Sequence, residues 1–277
     1  MRTRSLPANI ALYAAVGTVL IILLFPIYWM VITALSPANQ LRSFPPRFWP
    51  ENPQFNVFAD ILAAQPFGLW MANTLLIALA TLIVSMTVSI LAAYALSRHN
   101  LRGGESVGLF ILLAKMLPAT LLIIPLFAIF KSLSLVGNIW SVVIAQATMI
   151  VPFATWMLKG YFDTLPQELE QAALVDGCSP LDIIFRIILP ISAPGLAATA
   201  LYCFVISWSD YLFARTFLST SESTWTLSMG IASMKGEFTT SWNVIMAGSL
   251  MASVPIILVF LVLERFLVGG LSAGAEK

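Results

Sequence analysis

The apolar positions of this chain fall in long blocks divided by short polar breaks. A helix needs about 20 apolar residues to cross a bilayer. Six stretches reach that length: residues 10–35, 67–96, 107–130, 139–158, 191–214 and 243–263. Each is predicted to be a membrane-spanning helix, the first kinked at Pro26. Between the first two, residues 36–66 are polar and hold Arg42, Pro45, Pro46, Arg47, Pro50 and Pro53. Prolines at that density predict extended backbone, with a short helix near 55–64. A short basic loop, 98–105, joins the second and third spans.

Residues 164–190, TLPQELEQAALVDGCSPLDIIFRIILP, carry a different pattern. Leu165, Leu169, Ala172 and Ala173 lie at i, i+4, i+7 and i+8 and share one helix face. Thr164 and Gln167 have the form of a capping box, and Pro166 suits a first turn. Gly177 is predicted to stop this helix, because glycine takes the left-handed conformation at little cost. Ser179, Pro180 and Asp182 then favour a second helix start. Its predicted apolar face is Leu181, Ile184, Phe185 and Ile188, and Pro190 ends or kinks it. On periodicity alone the segment reads either as an amphipathic helix lying on the bilayer or as a two-helix docking device.

Composition agrees with the block pattern. Of 277 residues, 59% are hydrophobic and 10% charged, and mean hydropathy is +0.91. Ordinary soluble domains carry about 25% charged residues. A soluble core of this size would therefore lack a charged shell. A net charge of +1 gives no basis for nucleic-acid binding. Cys178 and Cys203 are too few for a disulfide framework and read as reduced, structural thiols. One His and two Cys leave no metal-ligand spacing. The chain contains no G-x4-G-K-[ST] phosphate loop, so it is not expected to bind ATP or any other cofactor itself. The first span is too long for a signal peptide and lacks a small-residue cleavage site, so it is expected to be retained.

The basic residues set an orientation. With both termini cytoplasmic, eight residues (Arg2, Arg4, Arg98, Arg102, Lys159, Arg186, Arg265 and Lys277) lie inside. Five (Arg42, Arg47, Lys131, Arg215 and Lys235) lie outside. This places residues 164–190 in the cytoplasm.

Ala172-Ala173, Gly177, Ile187, Leu189 and Pro190 have the spacing E-A-A-x3-G-x9-I-x-L-P. That pattern resembles the cytoplasmic loop of bacterial ABC-importer permeases, and Asp176-Gly177 with Pro180 resembles the carbohydrate-uptake branch. Further stretches extend the likeness over roughly residues 65–277: Asn73-Thr74, Ala92 to Arg98 (AAYALSR), Met116-Leu117-Pro118 with Pro125, Trp208-Ser209-Asp210, and Gly269 to Ala275 (GGLSAGA). The chain is similar to the smaller, six-span permease of the maltose-transporter type. The implied fold is all-α, a polytopic membrane protein with six transmembrane helices of the ABC type I importer permease kind. The implied parts are a cytoplasmic N-terminus (1–9), a first transmembrane helix (10–35), an external segment (36–66), a core permease domain (67–268) with a cytoplasmic coupling loop at 160–190, and a cytoplasmic tail (269–277).

In such permeases the loop docks into a cleft of a cytoplasmic ATPase. The resemblance therefore implies docking by Glu170, Gln171, Ala172, Ala173, Leu174, Asp176, Gly177 and Pro190. Gln171 stands where the motif has its Glu, so an ion pair made there in relatives is not available here. The implied partners are a second homologous permease, two ATP-binding subunits that hold the ATP and Mg, an extracytoplasmic substrate-binding protein, and lipid. The implied location is the bacterial inner membrane, and the implied cargo a sugar or oligosaccharide.

Three more residues stand out. Lys115 is the one charge well inside a predicted span; it faces the pathway or a subunit interface, or else it snorkels or pairs structurally. Trp208 and Asp210 lie near the outer end of the fifth span. Asp210 reads as a sugar-bonding carboxylate flanked by aromatics, or as part of an interfacial anchor. The polar stretch 219–240 reads either as a loop that reaches the binding protein, as the resemblance implies, or as an ordinary exposed loop. Other cargoes, such as glycerol phosphate or a polyamine, fit the same architecture. A stand-alone secondary transporter would need carboxylates or His deep within its spans, and a membrane enzyme would need clustered catalytic groups. The sequence offers neither.

Overall fold

A computed structural model of the chain describes residues 6–41, 43–98, 103–236 and 240–274. Among them the regular structure is helical, apart from an isolated bridge between Lys235 and Thr240. The apolar blocks become α1 (Leu6–Leu35), α3 (Phe67–Arg98), α6 (Ile139–Phe162), α9 (Ala193–Trp208) and α12 (Trp242–Gly274). The short helix expected near 55–64 is α2 (Val57–Ala64). Four of the described helices are long and apolar enough to cross a membrane alone. The chain is an all-α, multi-pass membrane protein.

Two predicted spans are interrupted. The stretch 107–130 is two helices, α4 (Gly104–Ala114) and α5 (Ala119–Ser132), with Lys115 in the break. Pro118 explains it: a proline cannot donate to the preceding turn, and its ring disfavours helical backbone at Leu117. The expected Lys115 in mid-helix is therefore corrected to a Lys at a helix break. The fifth span is bent at its start. Helix α8 (Pro180–Ile191) meets α9 at 85°. After α9 the chain turns again and continues as α10 (Leu212–Phe217), so the fifth span is not one helix to Ala214.

The chain forms two compact units. The first comprises residues 1–67 and 230–254. Within it the polar segment folds back on the end of α1. The Gln54 amide donates to the Leu35 carbonyl at 2.8 Å, the Tyr28 hydroxyl donates to the Phe48 carbonyl, and Trp29 packs edge-on against Phe48.

The second unit comprises residues 68–229 and 255–277. Its spine is α6, which three apolar clusters follow from end to end. Val142 and Val143 pack with Phe213 and Phe217, Ile150 and Ala154 with Cys203, and Leu158 and Phe162 with Ile183 and Ile188. Small residues let α3 approach this spine: Thr81, Ser85, Ser89 and Ala93 recur every four residues and are all fully buried. Spacing by four places them on one face, and small side chains permit close helix contact in a membrane. The start of α3 is stapled to the polar stretch after α10. Asn73 donates to the carbonyls of Ser223 and Trp225, and the Thr74 hydroxyl accepts from the Leu227 amide at 2.8 Å. Leu227 opens α11 (Leu227–Ser233).

Candidate functional site

The loop after α6 folds as a helical elbow. Its first arm is α7 (Glu168–Val175). The expected capping box is not formed: Thr164 donates its hydroxyl back to Tyr161, closing the turn that ends α6, so it is not free to cap α7. The end of α7 is as the residues dictate. Gly177 has φ +82°, its amide donates to Leu174, and the Cys178 amide reaches back to Ala173 at 3.0 Å. This pair of reversed bonds satisfies the last carbonyls of α7 and turns the chain sharply. Ser179 then caps α8, accepting from the Asp182 amide, with Pro180 at the first position.

Helix α8 widens to a π-helical stretch over Ile183–Ile188, just before Pro190. A π turn repeats at five residues rather than four. Ile183 and Ile188 therefore share the buried face with Ile184, while Leu181 and Phe185 are left 60% and 61% exposed. The expected apolar face of Leu181, Ile184, Phe185 and Ile188 is corrected accordingly. Pro190 itself is exposed.

The inward side of α7 is gripped by the last turn of α3. Glu170 accepts from Tyr94 Oη at 2.9 Å and pairs with Arg98, whose Nη2 also donates to the Leu165 carbonyl at 3.2 Å. Ser97 continues the network to Asp163, which pairs with Lys159 at 2.7 Å. Burial alone would raise the Asp163 carboxyl, but hydrogen bonds from Lys159 and Ser97 outweigh it and hold the group below its usual range. Asp182 is likewise held low, first by the Ser179 hydroxyl and then by the Arg186 charge.

Of the residues implied for docking, Glu170 and Ala173 face inward and are buried. They cannot offer a surface, because the 100° step of the helix turns them toward α3 and α6. Gln171, Ala172, Leu174, Asp176 and Gly177 are exposed. Val175, not singled out in the sequence, is 89% exposed and extends this apolar edge together with Leu174. Sequence reasoning also passed over Arg98 and Tyr94 as partners of Glu170. Only their place in the AAYALSR motif marked them.

Lys115 lies apart from the elbow. Its Nζ donates to the Met149 carbonyl at 3.2 Å and sits 5.8 Å from the centre of the Tyr202 ring. Pro152 lies just beyond on α6, and its missing N–H takes the helical donor from the carbonyl of Thr148, next to the one Lys115 uses. Trp208 is buried and stacks on Phe204. Asp210 caps α10, accepting from the amides of Phe213 and Ala214 at 3.3 and 3.0 Å. It also bonds Gln146, a buried amide that links Thr81 of α3 to Ser207 of α9. So Trp208 is held against Phe204 and Asp210 against the start of α10 and Gln146, while Lys115 is held at Met149 and Tyr202. Among the described residues, no group of three His, Cys, Asp or Glu could hold a metal.

The chain belongs to the family described as the inner membrane component of binding-protein-dependent transport systems, whose model matches residues 85–271. It is 35% identical over 98% of its length to the inner membrane ABC transporter permease protein YcjP of Escherichia coli K12, covering 97% of that protein. It is 32% identical over 96% of its length to the sulfoquinovosyl glycerol transport system permease protein SmoH of Agrobacterium fabrum, covering 93% of it. Its fold matches a chain of a bacterial ABC transporter that imports alginate with a TM-score of 0.79, at 22% identity, over 96% of this chain and 99% of that one. The protein is an ABC-importer permease.

Proposed function

We propose that this permease carries a sugar or oligosaccharide across the bacterial inner membrane, driven by ATP bound on separate subunits. The elbow is the dock: ATP binding closes the ATPase pair, and the motion enters the spans through α7. Alternating access is then a two-state rearrangement biased from a distant site. The observation that carries this reading is the two-sided character of α7. Its inner side is bonded to the body of the permease, and the rest of its surface exposes Leu174 and Val175. An exposed apolar edge rimmed by polar residues marks a protein or membrane contact, and the loop's likeness to the docking loop of ABC-importer permeases favours a protein. A groove on an ATPase fits a single helix presented this way.

Both termini lie in the cytoplasm in this reading, and residues 36–66 and 219–240 face an external binding protein. A second permease completes the pathway. ATP and Mg stay with the ATPase subunits. The sugar assignment rests on the carbohydrate-branch pattern around Gly177 and on a relative named for a glycoside. The test is ATP hydrolysis by the assembled complex with its binding protein, across a panel of sugars, glycerol phosphate and polyamines. Stimulation by one or more sugars supports the reading. Stimulation only by a non-sugar would replace it.

A further inference from the structure

We propose that Arg98 is a positioning residue for coupling: through Glu170 it sets the rotation of α7 and makes α7 and α3 move as one body. The proposal rests on the reading of α7 as the ATPase dock. The side chains of Arg98 and Glu170 are 6% and 11% exposed. A charge so deeply placed is stabilised only by its partner and its hydrogen bonds.

Each nitrogen of the guanidinium makes a hydrogen bond. Nε pairs with Glu170, Nη2 donates to the Leu165 carbonyl at 3.2 Å, and Nη1 donates to Ser97 Oγ at 3.3 Å. A lysine offers a point charge and could not reproduce that fork. Tyr94 sits four residues before Arg98, so the same face of α3 presents two donors to one carboxylate. Through Ser97 and Asp163 the network also takes in the end of α6.

The consequence is a fixed phase for α7. With Glu170 and Ala173 held inward, 100° steps put Gln171 and Val175 outward and leave Leu174 on the flank, 56% exposed. The apolar hold on α7 is slight, since Ala173 is its one buried apolar residue. A docking helix that rolled or slipped would still touch the ATPase, but it would transmit less of the ATPase motion.

The test uses the full transporter in proteoliposomes with its binding protein. It compares Arg98→Gln, Glu170→Gln and the double variant, measuring ATPase co-purification and sugar taken up per ATP. Each single change leaves a buried, unpaired charge, and uptake per ATP is expected to fall about tenfold while the ATPase stays bound. The double variant keeps an amide pair without an orphan charge and is expected to return to within about threefold of wild type. Arg98→Lys should not restore coupling. Singles within about twofold of wild type, or a double whose loss equals the product of the singles, would overturn the proposal. So would loss of the ATPase from Glu170→Gln alone, which would make Glu170 part of the dock itself. Failure of the docking reading shows separately, as an ATPase that still binds when Val175 and Leu174 are both made charged.

Discussion

The ring of Tyr161 lies so close to Gly195 that a Cβ built on Gly195 would sit 2.5 Å from the ring's Cγ. The contact joins the end of α6 to the start of α9, just past the 85° bend. Nearest to that Cβ are the ring's Cγ and Cδ atoms, which the side chain cannot swing away cheaply. Gly195→Ala is therefore expected to cost about 1–3 kcal/mol by overpacking. Thermal unfolding in detergent should show a lower midpoint for Gly195→Ala and recovery when Tyr161→Ala is added. An unchanged midpoint in the single variant would contradict the packing.

Gly177 is a different kind of glycine. At φ +82° its added Cβ would meet nothing within 4 Å, so the constraint is the backbone alone. Gly177→Val should cost about 1–2 kcal/mol locally. It should leave the spans inserted yet weaken the reversed bonds from Gly177 and Cys178, lowering ATPase co-purification or uptake per ATP. Gln171→Glu, on the exposed face, should be tolerated. Both are checked by pull-down and uptake.

The block pattern was enough to give the helical class and most helix positions, because apolar length and period are properties of the sequence itself. The helix breaks were less legible. Pro118 interrupts a span, while Pro125 and Pro152 sit inside continuous helices. What differs is the surrounding packing, which sequence does not display. The elbow's Gly177 stop and Ser179 cap were readable because both are local. The Arg98–Glu170 pair was not, since its partners are 72 residues apart. The π stretch also escaped notice, so the period-four face assigned to α8 failed at Leu181 and Phe185.

Lys115 ties the α4–α5 break to α6 through the Met149 carbonyl. A hydrogen bond from a charged group is worth about 1.5–3 kcal/mol. Lys115→Leu should insert normally but transport less, as the break loosens. Uptake normalised to membrane-inserted protein measures this, and undiminished uptake would show that the tie is dispensable.

The start of α8 should respond to acid in a defined window. Asp182 has a lowered pKa in the folded protein, so its contribution is present above the ordinary carboxylate value of 3.8. It is lost as pH falls through the lowered folded value. Protection of the α8 amides against hydrogen exchange, corrected for intrinsic rate, should hold from neutral pH to about 4 and decline below it. Asp182→Asn should remove that decline. Loss of protection between about pH 7 and 5 would point to a different titrating group.

The central claim is that the outer edge of α7 receives the ATPase. Val175, 89% exposed and apolar, is its sharpest probe, because nothing in the fold of this chain depends on it. The measurement is co-purification of the ATPase subunit with the permease carrying Val175→Asp, alone and with Leu174→Asp, at matched membrane levels. The expected result is a permease that inserts and pairs with its partner permease but loses most of its ATPase. Wild-type recovery of the ATPase with both charges in place would contradict docking through α7.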